Sequence, residues 1–188
     1  MIKYIVSGAL CLPFFGCRTT PATVAPPAPA ALPWQDELKA DIPLLGHRNW
    51  IVVTDMAYPL QSQAGIKTIY TGESYGATLA EVFQQISKAP HIRPLVYQDK
   101  ELSFLSDADV KGIDALKSQM KAILGDAVKQ LPHDELIARL SQVSKEFNVV
   151  ILKTNLTLPY TSTFFELDCA YWAAEGETNL RARINSSN

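Results

Sequence analysis

The chain is expected to fold as an α/β protein, one three-layer domain whose mostly parallel sheet is flanked by helices. Short apolar, β-branched runs alternate with amphipathic helical segments, the order that builds a sheet covered on both sides. Two of these runs, Trp50–Thr54 and Asn148–Lys153 (Asn-Val-Val-Ile-Leu-Lys), are apolar at consecutive positions, as in strands buried on both faces. The roughly 155 residues from Trp34 onward are enough for one domain with a full core.

Trp34 to Leu45 has helical character, with Trp34, Leu38 and Leu45 near one face, and Pro43 must end or kink it. Ile66 to Tyr70 reads as a second strand. Thr78 to Lys88 places Leu79, Val82, Phe83 and Ile86 at i, i+3, i+4 and i+7, an amphipathic helix. Arg93 to Tyr97 is a further strand. Ser106-Asp107-Ala108-Asp109 is a helix-start signature, a hydroxyl cap with a carboxylate three residues on, and the apolar face runs from Val110 to Leu124 before Gly125. After Pro132 another helix carries Leu136, Leu140, Val143 and Phe147. Thr163 to Asp168 is a strand, and Ala173 to Ile184 a closing helix with Leu180 and Ile184 expected to face inward. No internal repeat is present.

The first residues are not expected to belong to the fold. Lys3 is followed by an apolar stretch from Tyr4 to Phe15, too short to span a bilayer, and then by Gly16-Cys17 in the manner of a lipoprotein processing site. Residues 1–16 then form a signal peptide, and Cys17 becomes the acylated first residue. Residues 17–33 form a Pro/Ala-rich tether, stiffened by Pro21, Pro26, Pro27, Pro29 and Pro33, and residues 34–188 the domain. The expectation is an exported bacterial lipoprotein, membrane-anchored on the periplasmic side, with a secreted soluble protein as the alternative. Of three cysteines, Cys11 lies in the apolar stretch and Cys17 at the lipid site, so Cys169 is alone in the domain and no disulfide framework is expected.

Formal charge is −2, and no basic run or basic–aromatic ladder occurs, so nucleic acid is excluded as a partner class. No Cys-x-x-Cys exists, and the three histidines lie far apart without ligand spacing, so no metal site is expected. The absence of a Gly-x-Ser-x-Gly turn argues against a serine hydrolase.

In parallel sheets ligands sit at the carboxyl ends of strands. That rule puts Asp55, after the first strand, and Lys153-Thr154-Asn155, after a later one, on a common rim. His47 at the mouth of the first strand and Asp55 at its far end are candidate partners for proton transfer. An imidazole gives and takes protons near neutrality, and a carboxylate fixes its tautomer or binds a hydroxyl. His91 and His133, each beside a proline, read as loop and cap residues. Glu166 and Asp168 alternate with apolar residues, as on a strand with one solvated or interface face.

Gly46-His47, the strand after it and Asp55-Met56-Ala57-Tyr58-Pro59 resemble the N-terminal signature of the D-ribose pyranase and L-fucose mutarotase family. The order of later elements, including Pro94-Leu95-Val96, is similar as far as Thr154. The resemblance implies a monosaccharide mutarotase or pyranase that interconverts ring forms or anomers of a free sugar by acid–base ring opening, with no metal, nucleotide or other cofactor. It implies His47 as catalytic histidine, Asp55 as its carboxylate partner, and a homo-oligomeric ring with sites near subunit boundaries. The family's terminal Tyr-x-Asn is missing from residues 176–181. Tyr160, with Lys153 and Asn155 at the same rim, is the first candidate to bind sugar in its place, and Tyr171-Trp172 the alternative. The alternative is a non-catalytic sugar-binding or assembly lipoprotein that keeps the fold.

Overall fold

The computed structural model describes residues 32–187; the expected signal peptide, Cys17 and nearly all of the expected tether lie outside them. Residues 32–188 form one compact unit. Its elements are α1 (Trp34–Asp41), a 3₁₀ turn (Ile42–Leu44), β1 (Trp50–Thr54), β2 (Ile66–Tyr70), α2 (Tyr75–Lys88) and β3 (Ile92–Asp99). A second 3₁₀ turn (Lys100–Phe104) leads to α3 (Ile113–Leu124), β4 (Val128–Leu131), α4 (His133–Val143), β5 (Val149–Lys153), β6 (Thr163–Cys169) and α5 (Ala174–Ser186).

The six strands form one sheet in the order β2-β5-β1-β6-β3-β4. β1 and β2 both pair in parallel with β5, and β3 pairs in parallel with β4, while β6 runs antiparallel between β1 and β3. Five strands therefore point one way, and their carboxyl ends share one edge. Successive side chains alternate between faces, and the core divides accordingly. Ile51, Val53, Val150, Leu152, Phe165 and Leu167 pack with residues of α1, α2 and α3 on one face. Trp50, Val52, Tyr97, Ile151 and Phe164 pack with Leu136 and Leu140 of α4 on the other. This alternation makes the three layers, and Trp50 stacks on Tyr97 at 5.9 Å between ring centroids across the face that α4 covers.

Several local expectations change. α2 starts at Tyr75, one turn before Thr78, because Ser74 takes the cap by accepting the Ala77 N–H. The Ser106–Asp109 box forms, with Asp109 accepting both the N–H and the hydroxyl of Ser106, but it closes a separate turn. α3 begins only at Ile113, after Gly112 at φ +94°, and Asp107 Oδ1 accepts from the N–H groups of Gly112 and Asp114. α4 ends at Val143, with a hydrogen bond from Phe147 N to Val143 O carrying the turn on. β4 has no counterpart in the sequence expectation, since Val-Lys-Gln-Leu is short and its middle residues are exposed. α5 forms but buries none of its residues; Leu180 is half-buried and Ile184 is exposed, because no layer lies against them. Among the described residues, no helix is long and apolar enough to cross a membrane.

Candidate functional site

A cleft of about 320 Å³ opens at the carboxyl edge of the sheet, where β1, β3 and β4 end and the loop into β6 begins. Each strand exit supplies a polar group. Asp55 follows β1, and its Oδ1 accepts the N–H of Ala57 at 2.7 Å, a local turn that leaves the rest of the carboxylate toward the cleft. Asp99 is the last residue of β3 and has no exposed surface. His133 is the first residue of α4, directly after β4 and Pro132.

Asp99 and His133 form the central pair, with Nδ1 of His133 3.1 Å from Oδ1 of Asp99. Pro132 offers α4 no side-chain cap. Glu101 takes that role, both of its oxygens accepting the backbone N–H of His133 at 3.1 and 3.0 Å. A carboxylate at a helix N-terminus is favoured by the exposed N–H groups and the helix dipole. Glu101 thereby fixes the residue whose ring Asp99 orients. With Nδ1 engaged, Nε2 is the nitrogen left to exchange a proton with a ligand.

Burial pushes the Asp99 carboxyl up, and the nearby Glu101 and Asp55 add to the rise; His133 opposes it, and the value settles at about 6. Oδ2 of Asp99 is buried with no hydrogen-bond partner. Tyr58, from the same segment as Asp55, lines the cleft and accepts a hydrogen bond from Gln61 Nε2 at 3.2 Å. Burial raises its phenol to about 12, so it stays neutral. Tyr160 also lines the cleft, its ring edge-on to His133 at 5.5 Å between centroids. Its φ of +55° is left-handed, a conformation that costs an L-residue with a bulky side chain roughly 1–2 kcal/mol. Such strain persists only where the surroundings impose it.

The residues singled out in the sequence fall in three places. Asp55 and Tyr160 line the cleft. Lys153 and Asn155 are on the same edge, since Thr54 and Lys153 pair in register and Thr154 N donates to Thr54 O, but neither lines it. Asn155 is exposed, and its N–H donates to Glu73 O. His47 is at the other end of β1, about 17 Å from Asp55 along a five-residue strand at ~3.3 Å per residue. The within-chain pairing of His47 with Asp55 does not form. His47 is exposed, its Nδ1 is 3.3 Å from Asp168 Oδ1, and its Nε2 accepts from Arg48 Nε at 3.2 Å. Arg93 donates to Asp168 from Nε and Nη2 at 2.9 and 2.6 Å. Slight burial pushes the Asp168 carboxyl up, but Arg93, the Cys169 backbone and His47 outweigh it and hold it below its usual range.

Asp99, Glu101 and His133 were not read as site residues from the sequence. Asp99 ends its strand as Asp55 ends β1, a signal the same rule could have used. His133 could not be placed at a strand end because β4 was not recognised. Of the other sequence readings, His91 pins the first 3₁₀ turn, its Nε2 lying 3.3 and 3.0 Å from the carbonyls of Ile42 and Leu45. Glu166 accepts from the Tyr97 hydroxyl at 3.0 Å. Among the described residues, no three His, Cys, Asp or Glu side chains converge as a metal-ligand set, and Cys169 is a half-buried free thiol.

The fold and site define an α/β protein with an acid–base pair at the carboxyl edge of a mostly parallel sheet. No family model and no curated protein matches the chain. Among solved structures it is similar to Bacillus subtilis RbsD complexed with D-ribose, at 17% identity over 71% of this chain and 89% of that one, with a TM-score of 0.48. It is also similar to the fucose mutarotase in complex with L-fucose from Streptococcus pneumoniae, at 18% identity over 74% and 97%, TM-score 0.47. FucU from Bifidobacterium longum aligns at 15% identity over 73% and 98%, TM-score 0.48.

Proposed function

We propose that the chain is a metal-independent sugar isomerase, a mutarotase or pyranase acting on a free monosaccharide such as fucose or ribose. The observation that carries the reading is the His133 ring, held through Nδ1 by the buried Asp99 at the wall of a cleft that Asp55 also lines. With Asp99 ionised, Nδ1 carries the proton and Nε2 a lone pair. Nε2 takes the proton of the anomeric hydroxyl as the bond from C1 to the ring oxygen breaks, and the ring oxygen takes a proton from water. The open aldehyde rotates and recloses on its other face or through another hydroxyl; the attacking hydroxyl gives its proton back to the hydroxide left by that water, and the imidazolium returns its own to the new anomeric oxygen. Tyr58 and Asp55 offer a donor and an acceptor to sugar hydroxyls, and Tyr160 an aromatic wall. Among the described residues, no lysine or arginine lines the cleft to hold a phosphate.

The resemblance of residues 46–59 supports the reaction class, and the cleft geometry supports His133 rather than His47 for the acid–base role. The same reading has the domain exported and tethered through an acylated Cys17, and assembled as a homo-oligomer; both parts rest on the sequence. A second reading, a non-catalytic sugar-binding lipoprotein, is favoured by one observation: His47, on which the resemblance leans, sits outside the cleft.

Saturation-transfer NMR on equilibrated ribose and fucose separates them. The wild type accelerates anomer exchange, His133→Ala loses about 10²–10⁴-fold of that acceleration, and His47→Ala keeps it. Saturable binding without exchange favours the second reading. Loss of exchange in His47→Ala with His133→Ala intact refutes the assignment of the site.

A further inference from the structure

The cleft carries a charge imbalance. Several carboxylates of the described domain sit against cations, among them Asp41 with Lys67 at 2.7 Å, Asp168 with Arg93 at 2.6 Å, Asp114 with Lys117 at 2.8 Å and Glu135 with Arg139 at 2.6 Å. Among the described residues, Asp55 and Asp99 have no lysine or arginine partner, and none lines the cleft they share. The one hydrogen bond to Asp55 is the Ala57 N–H on Oδ1. Asp99 is fully buried and is met only at Oδ1, by His133, while Oδ2 has no donor at all. Glu101 behind them turns both oxygens to the His133 backbone N–H. Negative charge is thus concentrated on one small concave surface and partly removed from water, where Coulombic interactions are strongest. The upward push that Asp55 and Glu101 exert on the Asp99 carboxyl reflects the same field.

A neutral sugar can satisfy lone pairs here but leaves the charge uncompensated, and a phosphate or uronate adds to it. Resting on the reading of the cleft as a sugar site, we propose that its preferred ligand is a sugar bearing a primary ammonium group, of the 2-amino-2-deoxyhexose class, with the ammonium beside Asp55 in the field of Asp99. Substitution at C2 puts the cationic group next to the anomeric centre. Asp55 and His133 line the same cleft, so one ring offers its ammonium to the carboxylate and its C1 hydroxyl to the imidazole.

The test titrates the protein near pH 7 with D-glucosamine and D-galactosamine, their neutral parent hexoses and their N-acetyl derivatives. Binding is read by calorimetry and anomer exchange by NMR. Amino sugars are expected to bind at least about ten-fold tighter than the parents, with a margin that shrinks as salt screens it and vanishes on N-acetylation. Asp55→Asn, checked for folding by circular dichroism, weakens amino and neutral sugars alike through the altered hydroxyl contact and removes most of the difference between them. Equal affinity for amine and parent, or a margin that survives Asp55→Asn, overturns the inference. Exchange of neutral sugars without any amine preference sinks it alone and leaves the isomerase reading standing. No binding of either kind sinks both.

Discussion

Asp99→Asn tests whether the buried carboxylate is held against its own solvation. The Asp99 carboxyl is raised from 3.8 to about 6 by burial first, so the native state binds its proton more tightly than the unfolded chain does. For an acid raised in this way, the stabilisation is fully present below the unfolded value near 3.8, and it is lost as pH rises through the native value near 6. Two pKa units correspond to about 3 kcal/mol, so ionised Asp99 costs the fold on that order above pH 7. Asparagine has no charge to bury. It keeps an oxygen for His133 Nδ1, but its amide nitrogen falls where Asp99 Oδ2 finds no partner, at a cost of ~1–3 kcal/mol. The two effects oppose each other. Near pH 4 only the asparagine cost remains and the variant is the less stable protein; near pH 8 the relief of charge brings the two level or reverses the order. The difference in unfolding free energy is expected to move by about 2–3 kcal/mol between these pH values, read from urea midpoints at matched slopes. Running the same pair in a His133→Gln background removes the imidazole's own titration from the difference. A difference that stays flat from pH 4 to 8 in both backgrounds refutes the account of Asp99.

Two further outcomes follow from packing. Gly65→Ala brings a Cβ to 2.3 Å from the Ser144 carbonyl oxygen and 3.0 Å from that of Phe147, both backbone atoms, so a loss of ~1–3 kcal/mol is expected in urea unfolding; an unchanged midpoint shows that the α4–β5 connection yields freely. Truncation after Ala173 removes α5, which buries no residue, so thermal unfolding should shift by less than ~1 kcal/mol in stability, whereas a large loss means α5 is held by a contact outside this chain.

How much of this was legible follows from what each residue type reports. Trp50–Thr54 and Val149–Lys153 announced themselves because strands buried on both faces need unbroken apolar runs. β4 did not, since an edge strand with Lys129 and Gln130 exposed has no buried face to pattern. The closing helix was legible as a helix, but a stripe such as Leu180 and Ile184 records a periodicity and not whether a layer exists to receive it. The Ser106–Asp109 box records a capping geometry that a lone turn also satisfies. In each case the local signal was real, and the outcome depended on a neighbour distant in sequence.

The same distinction governs the site. A motif draws His47 and Asp55 together because they are eight positions apart, yet an intervening strand holds such residues at opposite ends of a sheet. Asp55, Asp99 and His133 come from three segments, and β6 separates β1 from β3 in the sheet. Strand order, which no local pattern carries, makes them neighbours. What the sequence did supply was the edge: a carboxylate at the end of a buried parallel strand faces the side where such sheets bind ligands. Applying that rule to every strand exit, rather than to the strand inside the motif, leads from Asp55 to Asp99, and from Asp99 to the imidazole that its carboxylate holds. The His133–Asp99 pair therefore sits at the carboxyl edge of the sheet, and the rule directs the search for a proposed catalytic histidine to the ends of strands rather than their beginnings.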